Sequence, residues 1–279
     1  MKTLAINTLV SVSQQIGASR AYAQGGGGNT SIKYHQNAML IKASGTRLAD
    51  MRTDSGYSII RTDTIRSLIQ QGITDARLHQ AITHSVCPSS PHHIPSIETS
   101  LHALLGRCVI HCHSIYANVL NCSYEGDEMI QQLFPEAIII PYTTVGPALA
   151  TALYNRLPTN NTPWIFLQNH GLIVQAEDMH QAHHYHTLAQ QKIQRYLGIT
   201  TEPSALPISE DISQHILFPD QLIYLQKPSS EAFQEIRWAF SCIRQIQQQQ
   251  RLTPRFLSPS AQQALRTLEG ETHRQAVAI

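Results

Sequence analysis

The tripeptide His111-Cys112-His113, reached from Ser96-Ile97-Glu98 through an apolar run, constrains this 279-residue chain more than any other stretch. Successive residues of an extended strand alternate between its two faces, so His111 and His113 project from one side and Cys112 from the other. Two imidazoles on one side suit a single metal ion. Ser96 reads as a helix cap with Glu98 in the first turn, where free backbone N–H groups favour a carboxylate. A helix of about three turns then leads into the strand, so that Glu98, His111 and His113 converge at one end of a helix-to-strand unit. Two histidines and a glutamate do not complete a metal site of this type, and a third strong ligand has to come from elsewhere.

His170 is the candidate for that ligand. Residues 164–167 read as a strand, Asn169-His170-Gly171 as a bend, and Leu172-Ile173-Val174 as a second strand without charge. The other histidines of the fifteen fit less well. His92 and His93 fall in the proline-rich segment 85–95 and read as solvated loop residues. His180 and His184 share one face of a long helix over residues 176–197, with Met179, Ala182, Leu188 and Ala189 inward. No carboxylate stands at matching spacing, so these two read as a solvated or intersubunit face.

The remaining chain supplies turns and helices around this unit. Leu4, Leu9, Val12 and Ile16 make an amphipathic first helix, although Lys2, the run 4–12 and Ala21-Tyr22-Ala23 imitate a signal peptide. Asn7, Thr8, Ser11 and Ser13 interrupt the apolar run, which favours the helix. Gly25 to Gly28, followed by Asn29-Thr30-Ser31, form a loop whose backbone N–H groups can turn toward an anion or simply close a flexible hairpin. The loop precedes a short strand, residues 32–34, so it is not a dinucleotide fingerprint, which needs a helix there. Residues 39–42 return as a second strand into Ala43-Ser44-Gly45-Thr46, a small-residue turn that can face the glycine loop across one anion pocket. Asp63 caps a helix with Ile65, Leu68 and Ile69 inward. A short helix at 117–121 and a strand at 137–141 follow. After Thr200 come a linker, Phe218-Pro219-Asp220, a short element at 222–225, and helices over 233–250 and 260–272. Tyr224 and Arg237 in this tail can reach a neighbouring site, but the sequence assigns the tail no chemistry.

Several function classes drop out on composition. A net charge of +1 with 14% charged residues lacks the basic excess of a nucleic-acid surface. No run approaches the eighteen or so apolar residues of a membrane span. Five cysteines without paired spacing argue against a disulfide framework and for a reducing, cytoplasmic setting.

The motifs GGGGNTS, SGT after a strand, PSIETSLHALL leading to HCH, and NHGL, in this order, resemble the class II aldolase/adducin family over residues 4–197. PSIET with LHALL and the later FPD look most like the aldolase half of bifunctional proteins that join this domain to a short-chain dehydrogenase. The stretch after Thr200 is too short for that second half and carries no glycine fingerprint. The resemblance implies an α/β fold with a central, mostly antiparallel sheet flanked by helices over residues 1–200, followed here by a helical C-terminal extension, 201–279. It implies a homotetramer with sites near subunit interfaces. It maps metal ligands onto His111, His113 and His170, the catalytic acid/base onto Glu98, and phosphate contacts onto Asn29, Ser44, Gly45 and Ser96. Ile97 departs from the pattern, since relatives that cleave simple ketose phosphates often carry a second serine there.

The residues themselves support enolisation of a hydroxyketone. Three imidazoles suit zinc, although cobalt, manganese or iron fit the same donors. The expected reaction is reversible cleavage of a ketose phosphate or related hydroxyketone by a metal-dependent aldolase, with Glu98 as general base in the condensation direction. The family also holds epimerases, dehydratases and decarboxylases of sugar phosphates, and adducin-like proteins without known catalysis, so the fold leaves the reaction open.

Overall fold

The computed structural model describes residues 2–73, 76–157, 162–201, 203–204 and 211–267. Among these residues seven strands, β1 (Asn29–His35), β2 (Ala38–Lys42), β3 (Tyr57–Arg61), β4 (Cys108–Cys112), β5 (Ile138–Ile140), β6 (Trp164–Leu167) and β7 (Gly171–Ala176), form one sheet. Its order is β3-β2-β1-β4-β7-β6-β5. Every neighbouring pair is antiparallel except β5 and β6. The helices are α1 (Lys2–Gly17), α2 (Asp63–Gln70), α3 (Ala76–His84), α4 (Thr99–Leu104), α5 (Ile115–Asn121), α6 (Gly126–Leu133), α7 (Pro147–Tyr154), α8 (Met179–Tyr196), α9 (Pro219–Tyr224), α10 (Glu231–Gln249) and α11 (Pro259–Arg266). The result is the α/β architecture expected from the sequence, a mostly antiparallel sheet covered by helices on both faces.

Strand alternation explains the two layers. Leu40, Ile59, Ile110, Phe166, Leu172 and Val174 pack into one apolar cluster with α1, α5, α8 and α10. Their sequence neighbours Met39, Ile41, Ile60, Val109, Ile165 and Ile173 pack into the other, with α2, α3, α4 and α7. Both faces are buried, which is why these strands read as continuous apolar runs. Each fully buried aliphatic side chain in these layers contributes about 1.5–3 kcal/mol. His111 has the parity of Val109 and Cys112 that of Ile110, so the alternation also sets which side the metal-site candidates occupy.

Several local expectations change. The helix after Ser96 is six residues long and not three turns, beginning at Thr99 with Glu98 at the capping position. Its end is fixed from outside, because Lys33 Nζ on β1 donates to the carbonyls of His102 and Gly106 at 2.8 Å each and to that of Leu105. A buried amine that satisfies these terminal carbonyls replaces further helical turns. Strand β1 starts at Asn29, three residues earlier than the pattern at 32–34 suggested, because Asn29 pairs with His111 across the β1–β4 ladder. Arg61 ends β3, a strand not foreseen, and Thr62 rather than Asp63 is the residue before α2. Helix α3 was not foreseen either. Leu4 is 72% exposed, whereas Leu9, Val12 and Ile16 are buried as expected. Leu68 and Leu188 are only half-buried. Of the last expected helix, α11 covers the first part, and residues 268–272 lie outside the described residues.

Helix α10 and the approach to α9 join the same apolar cluster as α5 and α8, through residues such as Phe218, Ile223, Phe240 and Ile243. No disulfide joins the five cysteines. No helix among the described residues is long and apolar enough to cross a membrane.

Candidate metal centre

Strand β4 carries His111 and leaves His113 one residue beyond its end, while the bend between β6 and β7 presents His170. Candidate donor atoms of these three buried histidines all lie within 4.8 Å of one another. His111 Nε2 and His113 Nε2 are 3.1 Å apart. The bend owes its shape to two residues. Asn169 takes a left-handed φ of 54° and donates its side-chain amide to the carbonyls of Leu217 and Arg255. Gly171 is compulsory for a different reason, since a Cβ there would run into the Cys112 carbonyl and stand 3.0 Å from His111 Cε1. Only a glycine lets β7 approach β4 this closely beside the histidines.

The far ring nitrogens fix which lone pairs face inward. Nδ1 of His111 donates to the Leu172 carbonyl at 3.2 Å, and Nδ1 of His113 lies 2.7 Å from Asp220 Oδ2. A carbonyl or carboxylate partner requires Nδ1 to carry the proton, leaving Nε2 as the donor atom for a metal. Burial pushes His111 down to about 4 and His170 to about 3. Both imidazoles are therefore neutral at neutral pH, the form that binds metal.

Glu98 sits beside this cluster, with Oε2 3.4 Å from His111 Nε2 and Oε1 3.6 Å from His170 Nε2. Asn29 Nδ2 donates to Oε2 at 2.6 Å. Burial opposes the charge on this carboxyl, but in acid, where they carry protons, the His111 and His170 imidazoles, with the Asn29 amide, outweigh it and hold Glu98 well below the usual carboxylate range. Oε1 is buried and has no hydrogen-bond partner among the described residues. An ionised oxygen left bare in the interior is costly unless a positive group faces it. Together with the three imidazoles, that unsatisfied oxygen fits a divalent cation.

The expected anion contacts line one pocket with this centre. Asn29, Ser44, Gly45, Ser96, Ile97, Glu98, His113 and His170 all face it, as does Lys42. Ser96 Oγ accepts from the Asn29 amide at 3.2 Å and from the Glu98 N–H at 3.3 Å. Lys42 was missed from sequence. Its amine donates to the Thr46 carbonyl at 2.6 Å and the Gly26 carbonyl at 3.1 Å, tying the two small-residue turns together. The available signal was a single cation at the end of an apolar strand. The glycine loop corrects one expectation. The N–H groups of Gly25, Gly26 and Gly27 donate to Glu235, the Tyr224 hydroxyl and the Gln24 carbonyl rather than lying open to an anion. Gly27 serves close approach instead, because a Cβ there would come within 2.6 Å of both Asp220 Oδ2 and His113 Nδ1.

Beyond Ser44, Ser96 and Ile97 lies a second cavity of about 310 Å³, lined also by His79 and His93. His92 and His93 are exposed and stand outside the three-histidine group, as do the exposed His180 and His184 on α8.

The sequence model of the family described as "Class II Aldolase and Adducin N-terminal domain" matches residues 7–197, more than half of the chain. The chain belongs to the class II aldolase and adducin family. A Bacillus subtilis (strain 168) protein named "Uncharacterized oxidoreductase YuxG" is 27% identical over 225 residues, a match that covers 76% of this chain and 31% of that protein. The chain thus spans about a third of that relative. Among solved structures, the N-terminal class II aldolase domain of a conserved Thermoplasma acidophilum protein superposes with a TM-score of 0.61 at 23% identity, covering 69% of this chain and 93% of that one. A sugar-phosphate aldolase from Thermotoga maritima gives 0.51 at 13% identity, with 71% and 97% covered. These likenesses agree with the fold described above.

The class II aldolase match ends before the segment that touches the centre from behind. Asp220, on α9, was singled out in sequence only as part of FPD and given no role. Tyr224, four residues on, meets the glycine loop, while Arg237 is exposed on α10. Nothing local in the sequence announces the Asp220–His113 contact, which joins residues 107 apart.

Proposed function

We propose that this class II aldolase family member is a metal-dependent aldolase that reversibly cleaves a ketose phosphate or related hydroxyketone. The observation that carries the reading is the placement of Glu98, whose buried Oε1, without a hydrogen-bond partner among the described residues, faces the three-histidine cluster. His111, His113 and His170 would hold the cation, which we take to be zinc because three imidazoles suit it. When bound, a divalent ion supplies Lewis acidity that stabilises negative charge on the oxygens of an enolised hydroxyketone.

The chain's own groups supply the rest. Glu98 takes the proton from the carbon beside the carbonyl in the condensation direction and returns it to the same carbon after cleavage. Such a positioned base contributes about 10² to 10⁴ in rate. Asn29 holds the carboxylate by Oε2 and leaves Oε1 for the proton. Ser44, Gly45, Ser96 and Asn29 receive the phosphate, beside the buried amine of Lys42. Ile97 lines the pocket with an apolar side chain, so the phosphate has fewer hydroxyl contacts than a site with two adjacent serines. We further assign the protein to a cytoplasmic homotetramer, without nucleic-acid or membrane partners.

A retro-aldol screen of ketose 1-phosphates and related acids with defined metals, scored by the mass of both fragments, tests the reaction. Release of a free aldehyde with a dihydroxyacetone-phosphate-like ketone supports it. Conversion without release of an aldehyde points instead to an epimerase, dehydratase or decarboxylase on the same carboxylate.

A further inference from the structure

The segment 217–224 lies beyond the family match, yet it is fastened to three separate parts of the candidate centre. Asp220 Oδ2 holds His113 Nδ1 at 2.7 Å, with both side chains buried. The Leu217 carbonyl accepts from Asn169, the residue before His170, at 2.8 Å. The Tyr224 hydroxyl accepts from the Gly26 N–H at 2.8 Å, and Gly27 leaves no room for a Cβ between Asp220 and His113. The segment is itself rigidly closed, since the Leu217 and Phe218 N–H groups donate to the Gln221 side chain at 2.6 and 3.2 Å and Pro219 opens α9.

We infer that Asp220 is a positioning residue for the cation site, and that docking of α9 and metal binding reinforce one another. The inference rests on reading His111, His113 and His170 as a cation site. A carboxylate on Nδ1–H fixes the ring of a metal-binding histidine, selects the tautomer with Nε2 free and raises the basicity of that nitrogen. Asp220 does this for His113, as the Leu172 carbonyl does for His111. A group that binds only the docked arrangement stabilises it by mass action, so a cation on His113 strengthens the hold of Asp220, and the docked segment in turn strengthens the site.

Cobalt(II) titration of the metal-free full chain, followed by visible absorption and chelator competition, tests this, with hydrogen exchange of 217–224 measured before and after cobalt. The expected wild-type result is one cobalt per chain and slower exchange across α9 once it is bound. Asp220→Asn and Asp220→Ala are expected to weaken cobalt about 10- to 100-fold and to shift its ligand-field bands. The near-isosteric Asn variant decides if the Ala variant does not fold. Wild-type cobalt affinity and bands in Asp220→Asn, even with a lowered Tm, would overturn the positioning role and leave a structural one. Exchange across α9 that ignores cobalt would overturn the coupling. No cobalt bound by the wild type would overturn the cation-site reading itself, whatever the variants do.

Discussion

Asn29 donates its side-chain amide to Glu98 at 2.6 Å, joining residues 69 apart in sequence and leaving the other carboxylate oxygen bare toward the histidines. The register of β1 against β4 produces this contact, because Asn29 stands directly opposite His111.

Replacing Asn29 by Ala removes a hydrogen bond to a charged group, a contribution of about 1.5–3 kcal/mol. The expected outcome is a loss of roughly tenfold to a hundredfold in kcat on the substrate that the retro-aldol screen identifies. Steady-state kinetics and a cobalt titration check it together. A kcat within twofold of wild type would remove the orienting role from Asn29.

Gly171→Ala forces a Cβ against the Cys112 carbonyl and toward His111. Backbone cannot yield as a flexible side chain does, so the sheet must open between β4 and β7. A loss of about 1–3 kcal/mol in urea denaturation is expected, as for other overpacked sites, together with weaker metal retention in chelator competition. An alanine variant with unchanged stability and affinity would show that β7 has room there.

Acid sensitivity follows from two buried histidines outside the three-histidine group. Burial pushes His102 and His186 down to about 3 each. His102 has Nδ1 against Ser31 Oγ at 2.7 Å and a buried Nε2 without a partner among the described residues, so its protonated ring would lack an acceptor there. The folded-state pKa lies below the unfolded value of about 6.5, so the unfolded chain binds protons first as pH falls. Stability is unaffected by these groups above about pH 6.5 and falls below it, by up to about 1.4 kcal/mol per pH unit per histidine until pH reaches about 3. Urea midpoints of the metal-free protein at pH 7 and pH 5 test this, the second value lying above the range where carboxylates protonate. The wild type should lose stability between them and His186→Gln should lose less. Equal losses in both would contradict the assignment for His186.

The parts of the centre that depend on local periodicity were legible in the sequence. Strand alternation placed His111 and His113 on one side and Cys112 on the other, and the glycine after His170 marked the bend. Parts set by long-range packing were not. The length of α4 depends on Lys33 from another strand, which satisfies its last carbonyls. The role of Asp220 depends on α9 folding back over β4, and FPD alone carries no sign of that. The sequence of the glycine loop permits either an anion cradle or a flexible hairpin loop, and nothing local decides between them. In the folded chain Glu235 and Tyr224, more than 190 residues away, take two of its N–H groups.

The most direct test of the account is Glu98→Gln, assayed for both metal content and turnover. Gln keeps the size of the side chain and an acceptor for Asn29, but it cannot take a proton. The expected result is one cation per chain, retained on His111, His113 and His170, with turnover down by about 10² to 10⁴. A variant that binds its metal and still turns over at the wild-type rate would contradict the assignment of Glu98 as the base.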